Sequence, residues 1–283
     1  MTSLTDTCVL RNGYRMPCVG FGTWKTPDGE AAINAVTEAL KSGYRHIDTA
    51  AMYKNESGIG EALRRSEVPR TELFLTSKVW NTERGYDKAM RAFEETVARL
   101  GVDYLDLYLI HWPAVAAQFD NWEELNLGTW KALTTLYKEG RIKSIGVSNF
   151  QPHHLRALVE TEIMPMVNQI EYHPGYMQRD TVDFCRERNI LIEAWSPLGR
   201  GRLLDHTLLN TLAKKYEKTV AQICLRWCLQ NDTVPLPKSV TPSRIAENAD
   251  IFNFEITAED MAAINAIPDK VGWSGHDSDL IDF

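Results

Sequence analysis

Seven apolar runs in this chain each end in a polar residue, and helix-like segments separate the runs. A short apolar run is typical of a buried strand, whereas the terminal residues are of types that proteins seldom bury without a partner. The residues at the run ends are Asp48, Lys78, His111, Ser148 with Asn149, Gln169, Trp195 with Ser196, and Lys238 with Ser239. Because parallel strands of one barrel end at the same rim, the pattern predicts that these groups meet at one mouth of a barrel.

The alternation of strands and helices predicts an α/β fold, a (β/α)8 TIM barrel with an N-terminal β-hairpin and two extra helices. Asn12-Gly13 is a tight-turn signal, so the hairpin is expected there, closing the bottom of the barrel. The barrel strands are predicted at 17–21, 44–47, 73–76, 105–110, 142–147, 166–170, 190–194 and 233–236. The helices are predicted at 28–40, 55–65, 87–100, 121–139, 152–160, 179–188, 207–216, 220–230, 241–249 and 257–267.

Two of these helices are extras to the barrel repeat: the one just before the last strand and the one at the C-terminal end. Asp28, Thr241 and Thr257 are expected to cap their helices. No linker divides the chain, so we expect a single domain over residues 1–283, with a loose tail after Ile267.

Composition and charge limit the possible partners. The 283 residues are 44% hydrophobic and carry a formal net charge of −7, which is unsuited to broad nucleic-acid or anionic-membrane binding. No apolar run is long enough for a signal peptide or a membrane span, so the cytoplasm is the expected location. Five irregularly spaced cysteines favour free thiols. Cys224 and Cys228 are interpreted as buried apolar residues, and no metal site is predicted.

Four residues near the predicted mouth form a set suited to reducing a carbonyl group: Asp48, Tyr53, Lys78 and His111. A buried ammonium needs a partner, and Asp48 is the expected partner of Lys78. Tyrosine normally titrates near pH ~10, and a neighbouring ammonium lowers its pKa. Tyr53 is therefore interpreted as the proton donor to an oxygen that becomes negative, with His111 as a hydrogen-bond donor to the same oxygen.

Each of these four residues also has a plainer interpretation. Asp48 and Lys78 can form a structural ion pair, and His111 can be a core histidine whose hydrogen bonds are satisfied. Tyr53 can simply pack against its neighbours. The convergence of all four at strand ends favours the catalytic interpretation.

A second set of residues indicates a site for a phosphorylated cofactor. No GxGxxG follows the first strand, and the nearest string, Gly58-Ile59-Gly60, lies in a predicted helix and lacks the third glycine. TIM barrels usually bind phosphate near strands seven and eight. The residues there are Lys238, Ser239, Arg244 and Asn248. Two cations at a helix start favour a phosphomonoester such as the 2′-phosphate of NADP, although a solvated helix start has the same composition.

Other strand-end residues are suited to the nicotinamide end of such a cofactor. The flat ring of Trp195 is expected to stack on a nicotinamide. Ser148, Asn149 and Gln169 offer paired donors and acceptors for a carboxamide. Taken singly, each is more often an ordinary strand-end cap than a ligand.

Five long motifs, in the right order, resemble those of the aldo-keto reductase family. Residues 43–56, GYRHIDTAAMYKNE, and 104–113, YLDLYLIHWP, resemble its two signatures. The others are GRIKSIGVSNF at 140–150, VNQIEYHP at 167–174 and PKSVTPSRIAEN at 237–248. The resemblance implies reduction of an aldehyde or ketone by NADPH without a metal. It also implies that Tyr53 is the general acid of a tetrad completed by Asp48, Lys78 and His111.

The resemblance further implies which residues bind NADPH. They are Gly22, Thr23, Ser148, Asn149, Gln169, Trp195, Ser196, Leu198, Lys238, Ser239, Val240, Arg244, Glu247 and Asn248. Residues 148, 149 and 169 would hold the carboxamide, residues 238–244 the 2′-phosphate, and residues 247 and 248 the adenine. Most of the family has tyrosine at the position of Trp195. Members that resemble bacterial 2,5-diketo-D-gluconate reductases have a similar tryptophan. The loop 197–205 and the C-terminal tail are short, so we expect an open pocket and rapid cofactor exchange.

The expected substrate pocket is aromatic. Its candidate residues are Trp24, Trp80, His111 and Trp112, with Trp273 as a further candidate. Such a pocket favours aryl or medium aliphatic aldehydes and α-dicarbonyls. Two other functions stay open: a Schiff-base lyase that uses Lys78 as its nucleophile, and a non-catalytic subunit that senses NADPH. Family members of this size are often monomers, so a monomer is expected.

Overall fold

Eight parallel strands form one sheet in this computed structural model, which describes residues 1–281. The strands are β3 (Gly20–Gly22), β4 (His46–Asp48), β5 (Phe74–Val79), β6 (Leu105–Ile110), β7 (Ile142–Ser148), β8 (Val167–Glu171), β9 (Leu191–Trp195) and β10 (Thr233–Pro235). They lie in chain order, and each pairs with the next in parallel register. Before them, β1 (Thr7–Val9) and β2 (Arg15–Pro17) form an antiparallel hairpin.

The sheet curves until its first and last strands meet. The Gly22 amide donates a hydrogen bond to the carbonyl oxygen of Pro237 at 2.9 Å, just beyond the end of β10. A Cβ at Gly22 would lie 3.1 Å from the Leu236 carbonyl oxygen, so the absence of a side chain permits this close approach. The predicted TIM barrel is confirmed.

Helices surround the barrel. They are α1 (Glu30–Lys41), α2 (Glu56–Arg65), α3 (Tyr86–Leu100), α4 (Trp122–Lys138), α5 (Pro152–Val159), α6 (Arg179–Arg186), α7 (Thr207–Lys215), α8 (Val220–Gln230), α9 (Pro242–Ala249) and α10 (Ala258–Asn265). Two helices, α7 and α8, lie between β9 and β10, so one of them is a predicted extra helix. The other predicted extra helix is α10, at the C-terminal end. Within residues 1–281, no helix has the length and apolar character needed to cross a membrane.

The hairpin lies at the bottom of the barrel, as predicted. The Tyr14 hydroxyl, in its turn region, donates to Asp106 Oδ1 at 2.6 Å, and Asp106 is the second residue of β6. Arg70 contacts the other oxygen of Asp106 at 2.6 Å. Leu10 and Met16 are buried beneath the barrel. The hairpin is therefore held by one buried carboxylate as well as by apolar packing.

Six barrel strands run further than predicted, and all of them except β3 include polar residues near their ends. Asp48, for example, is paired with Thr76, and Lys78 with Leu109, inside regular ladders. The apolar runs alone predict shorter strands, but the ladder continues because backbone pairing does not depend on side-chain polarity. Because side chains alternate along a strand, these polar groups point into the barrel instead of trailing in a loop.

Helix capping follows the predictions only in part. The Thr257 hydroxyl accepts from the Asp260 amide at 3.3 Å, so Thr257 caps α10 as expected. Asp28 does not cap α1, because Gly29 occupies that position, and the Asp28 carboxylate accepts from the Gly58 amide at 2.7 Å. Thr241 stands at the N-cap of α9 but makes no side-chain capping bond.

The C-terminal tail is not loose, contrary to expectation. The Ser274 amide and hydroxyl both donate to the buried carboxylate of Glu171, at 2.8 and 2.7 Å. Arg202 donates to the Trp273 carbonyl oxygen at 2.9 Å. These contacts bind the tail to β8 and to the loop after β9, so it forms part of the barrel mouth.

Candidate active site

A buried ion pair lies at the mouth of the barrel. The Lys78 ammonium donates to both oxygens of Asp48, at 2.7 and 2.9 Å, and to the Thr49 carbonyl oxygen at 2.9 Å. Lys78 is 0% exposed and Asp48 is 3% exposed. Burial by itself lowers the pKa of Lys78, but the charges of Asp48 and Tyr53 raise it by more than burial lowers it, so the net shift is upward. Lys78 is thus a fixed cation whose ammonium hydrogens are all directed at Asp48 and the Thr49 carbonyl oxygen.

Tyr53 lies beside this pair. It ends a short 3-10 helix, residues 51–53, that follows β4, and Lys54 terminates the turn with a left-handed φ of 56°. The Tyr53 hydroxyl oxygen is 3.5 Å from the Lys78 nitrogen. Burial raises the pKa of Tyr53, Lys78 lowers it and Asp48 raises it, and the net direction is upward. The expectation that Lys78 would bring the pKa of Tyr53 below its ordinary value is therefore wrong, although its contribution has the expected sign.

His111 completes the group as a neutral imidazole. Its ring meets the rings of Tyr53 and Trp80 edge-on, with centroids 5.6 and 5.1 Å apart. Burial, and then the charge of Lys78, lower the pKa of His111 well below its ordinary range. His111 Nδ1 is buried without a hydrogen bond to any residue of 1–281. A buried N–H without an acceptor is rare, so the proton belongs on Nε2, which leaves an N–H donor at the site.

The three residues predicted to hold a carboxamide lie together, but their donors are already engaged. The Ser148 hydroxyl donates to the Gln169 carbonyl oxygen at 2.8 Å. The Asn149 amide nitrogen donates to the His111 carbonyl oxygen and to Ser148 Oγ, each at 3.0 Å. The Gln169 amide nitrogen donates to Asp48 Oδ2 at 2.9 Å. What stays open on Gln169 is Oε1, which accepts no hydrogen bond from the described residues.

Trp195 has a fixed ring plane. Its indole nitrogen donates to Asn149 Oδ1 at 2.7 Å, and its ring meets Trp112 edge-on at 6.5 Å. Ser196 follows with a left-handed φ of 50°, which turns the chain away from the strand. Leu198 lies in the loop that follows and is partly buried. Trp195 itself is partly exposed, so a flat ligand has access to its ring.

The predicted phosphate site carries cations without carboxylate partners. Lys238 is partly buried, Arg244 is exposed in the first turn of α9, and neither forms an ion pair within residues 1–281. Burial, and then the charge of Lys25, lower the pKa of Lys238, so an anion would relieve a repulsion there. Ser239 Oγ accepts from the Thr241 amide at 3.0 Å, which shapes the loop that leads into the helix.

The remaining cofactor candidates flank this site. The Thr23 hydroxyl donates to the Asp48 carbonyl oxygen at 2.9 Å, and Gly22 is buried beside it. Glu247 accepts from the Thr219 hydroxyl at 2.8 Å. Asn248 is buried and Val240 is 48% exposed.

A cleft of about 230 Å³ opens beside the rings of Trp112 and Trp195, and no residue of the tetrad lines it. Its lining combines strand-end residues with the tail, and includes Trp112, Asn149, Trp195, Trp273 and His276. Trp80 packs on His111, whereas Trp24 lies under the guanidinium of Arg200, 4.6 Å from its ring centre. Arg200 also lies 5.6 Å from the Trp195 ring.

The sequence did not reveal Arg200, His276 or Glu171, whose carboxylate accepts from Ser274 and so holds the tail. Arg200 and His276 lie in irregular segments with no periodic signal. Glu171 is a charged residue one position beyond the predicted strand 166–170 and two positions after Gln169, which is a signal that could have identified it.

The sequence profile of the aldo/keto reductase family matches residues 18–269, which covers most of the chain. The chain belongs to the aldo/keto reductase family. Among its relatives, a glyoxal reductase of Bacillus subtilis (strain 168) is 52% identical over 267 residues, 94% of each chain. The methylglyoxal reductase DkgA of Escherichia coli (strain K12) is 45% identical over 258 residues, 90% of each chain. A crystal structure of a Gox0644 mutant in complex with NADPH superposes with a TM-score of 0.89 and 44% identity, covering 98% of this chain and 99% of that one.

As a member of this family, the protein is an oxidoreductase that reduces carbonyl groups with NADPH. The residues present fit that cofactor. Cations without carboxylate partners at residues 238 and 244 suit a 2′-phosphate, and the open Oε1 of Gln169 suits a carboxamide N–H. The partly exposed, fixed ring of Trp195 suits a planar nicotinamide.

Proposed function

We propose that this aldo/keto reductase reduces small α-dicarbonyl aldehydes, with Tyr53 as the proton donor. The observation that carries the assignment is the Lys78 ammonium, fixed by Asp48 and lying 3.5 Å from the Tyr53 hydroxyl oxygen. Neutral His111 lies against the same phenol ring. A cation, an acid and an uncharged donor around one point suit a carbonyl oxygen that becomes an alkoxide.

Proton transfer follows from this geometry. The cofactor, when bound, supplies the hydride to the carbonyl carbon. Tyr53 gives its proton to the carbonyl oxygen, and Lys78 stabilises the phenolate that results. The His111 N–H orients the oxygen, since a neutral imidazole donates without competing for the proton. Asp48 keeps Lys78 charged and in place.

The cofactor roles divide along the barrel. Gln169, Asn149 and Ser148 form the carboxamide site, and Trp195 supports the nicotinamide ring. Lys238, Ser239, Val240 and Arg244 form the site for the 2′-phosphate, whose charge the two cations complement. The other proposed contacts are Gly22, Thr23, Ser196, Leu198, Glu247 and Asn248. The short loop 197–205 should allow rapid cofactor exchange.

The substrate class is supported by two relatives, one named for glyoxal and one for methylglyoxal. The proposed pocket residues are Trp24, Trp80, His111 and Trp112. Apolar walls distinguish substrates by only about 1–3 kcal/mol per methylene, so related aldehydes should also react. The test follows NADPH absorbance with glyoxal, methylglyoxal, an aryl aldehyde and a simple ketone. Turnover of the α-dicarbonyls no better than that of the simple ketone would contradict the proposed preference.

A Schiff-base lyase is disfavoured by the state of Lys78. Amine attack requires a neutral nitrogen with a free lone pair. The Lys78 nitrogen is directed at three oxygen partners, and its pKa is raised. Borohydride should therefore trap no adduct at Lys78 when a carbonyl substrate is present. A purely cofactor-sensing role is opposed by the complete tetrad.

We further propose that the whole chain acts as one domain, as a monomer in the cytoplasm, without nucleic-acid partners. The net charge of −7 supports the last point. Light scattering on the purified protein tests the oligomeric state, and a dimer at assay concentration would contradict a monomer.

A further inference from the structure

Glu193 is a buried acid beneath the tetrad that the proposed mechanism does not use. It lies on β9 and is 0% exposed. Its Oε2 accepts a hydrogen bond from the Gln169 amide nitrogen at 3.0 Å. The same nitrogen donates to Asp48 Oδ2 at 2.9 Å. One amide group therefore joins Glu193 to the carboxylate that pairs with Lys78.

Little in the surroundings compensates a negative charge on Glu193. The groups that face it are His46 and Asp48 from β4, Lys78 from β5, Gln169 from β8 and Cys8 from β1. Lys78 is the one cation among the described groups that face Glu193, and it is already bonded to Asp48. His46 is neutral, because burial and then the charge of Lys78 lower its pKa to about 3. Cys8 carries no positive charge.

The hydrogen bonds of Glu193 fit a neutral acid. Oε1 lies 3.6 Å from His46 Nε2, beyond hydrogen-bond range, and has no partner within residues 1–281. A carboxylate would leave Oε1 charged, buried and without a donor, which costs more than a neutral acid whose Oε2 accepts from Gln169. Burial, and then the charge of Asp48, raise the pKa of Glu193 to about 8, although Gln169 and Lys78 oppose that shift.

We propose that Glu193 is a positioning residue for carbonyl reduction: its neutral form holds the Gln169 amide against Asp48, and its ionisation weakens Tyr53 as a proton donor. This inference rests on the proposed role of Tyr53. The anchored nitrogen leaves Gln169 Oε1 directed to the carboxamide site. Once ionised, Glu193 places a second negative charge next to Asp48, which disfavours the phenolate that Tyr53 becomes. Reduction therefore slows as pH rises through the titration of Glu193.

Two variants separate the charge of Glu193 from its hydrogen bond. Glu193→Gln keeps an acceptor for Gln169 and cannot ionise, whereas Glu193→Leu cannot ionise and offers no acceptor. The measurement is kcat for methylglyoxal at saturating NADPH, from pH ~6 to ~10. We expect the wild type to lose rate through a titration near 8, and Glu193→Gln to lack that step. Glu193→Leu should be about 10-fold slower than Glu193→Gln at every pH, since it leaves a buried amide N–H without an acceptor.

The contrary outcomes are equally definite. The same titration in the wild type and in Glu193→Gln would overturn the charge effect. Equal rates for Glu193→Gln and Glu193→Leu would overturn the positioning effect. Both readouts differ from those of a merely structural residue, whose replacement changes stability without moving a pH profile.

An infrared titration of the wild type, labelled with ¹³C-glutamate, tests the inference even if a variant fails to fold. We expect a protonated-carboxyl band that persists well above the ordinary glutamate range and disappears near pH 8. If no such band titrates there, Glu193 is not held neutral and the inference fails. This measurement does not depend on Tyr53. Full turnover by Tyr53→Phe would remove the proposed acid role but would leave the infrared titration unchanged, so the two failures are distinguishable.

Discussion

The two halves of the barrel mouth satisfy their charges differently. In the catalytic half, β4 to β6, Lys78 is bonded to Asp48 and is fully buried. In the cofactor half, β7 to β10, Lys238 and Arg244 have no carboxylate partner within residues 1–281, and Lys25 adds a repulsion. The difference indicates that folding alone assembles the catalytic half, whereas the phosphate end of the cofactor half is completed by its ligand. Substitutions in the first should cost catalysis or stability, and those in the second should cost cofactor affinity.

The largest expected effect is on turnover. Tyr53→Phe keeps the ring but removes the proton donor, so kcat for methylglyoxal should fall by about 10²–10⁴-fold while NADPH binding changes little. Tyr172→Phe is a matched control, because the Tyr172 hydroxyl has no hydrogen bond within the described chain and its ring stacks on Trp227. Steady-state rates and NADPH fluorescence titrations measure both quantities. Activity near the wild-type level in Tyr53→Phe would remove it from the acid role.

The next effect is on stability. Lys78→Met leaves Asp48 as a buried charge without its cation, which should lower the free energy of unfolding by about 3–5 kcal/mol. Urea unfolding without cofactor measures this loss. Lys88→Met on the exposed surface of α3 is the control, expected to change the free energy by no more than about 0.5 kcal/mol. If both variants were equally stable, the catalytic half would not be stabilised by its ion pair.

A pH-dependent effect on stability should arise from Glu193. The unfolded chain releases the Glu193 proton near the ordinary value of 4.5, whereas the folded chain keeps it to higher pH. Between pH 4.5 and about 8, the free energy of unfolding of the wild type should therefore decrease relative to that of Glu193→Gln. The decrease should be about 1.4 kcal/mol per pH unit at most. Urea unfolding of both proteins at several pH values measures the difference. A constant difference across this range would show that Glu193 is ionised in the folded state.

The smallest effect is expected in the cofactor half. Arg244→Ala should weaken NADPH binding by about 10-fold, the cost of one hydrogen bond to a charged group, and barely change NADH binding or stability. Lys238→Ala should act in the same direction. Arg156→Ala, an exposed arginine on α5, is the control. An equal loss for NADPH and NADH would argue against a 2′-phosphate at this site.

The fold could be predicted because its signal is local and repeated. Alternating apolar runs and helix signals give the barrel and the order of its strands. Strand ends were less predictable: β5 runs three residues beyond its predicted end, since ladder bonds join backbones regardless of side-chain polarity. Asp28 was assigned to the wrong helix because a carboxylate near a helix start can also accept from another element, here the Gly58 amide.

The candidate site could be predicted only as a set of residues. Strand-end positions identified the tetrad residues and the phosphate cluster, and the structure brings the four tetrad residues together. The sequence did not reveal that Gln169 joins two carboxyl groups, nor that the tail binds Glu171 and closes one side of the cleft. These contacts join residues from 24 to 121 positions apart in the chain, so no local pattern records them.

By itself, the sequence determined which groups lie at the rim, because period-two alternation and the parallel order of strands are properties of the local chain. Only the tertiary structure decided their protonation and their partners. The pKa of Tyr53 rises despite Lys78, because burial depends on everything packed around the phenol. Glu193 acquires its place beneath Asp48 in the same way, through an amide contributed by another strand. Burial and electrostatic interaction depend on distance in space, and barrel closure sets those distances.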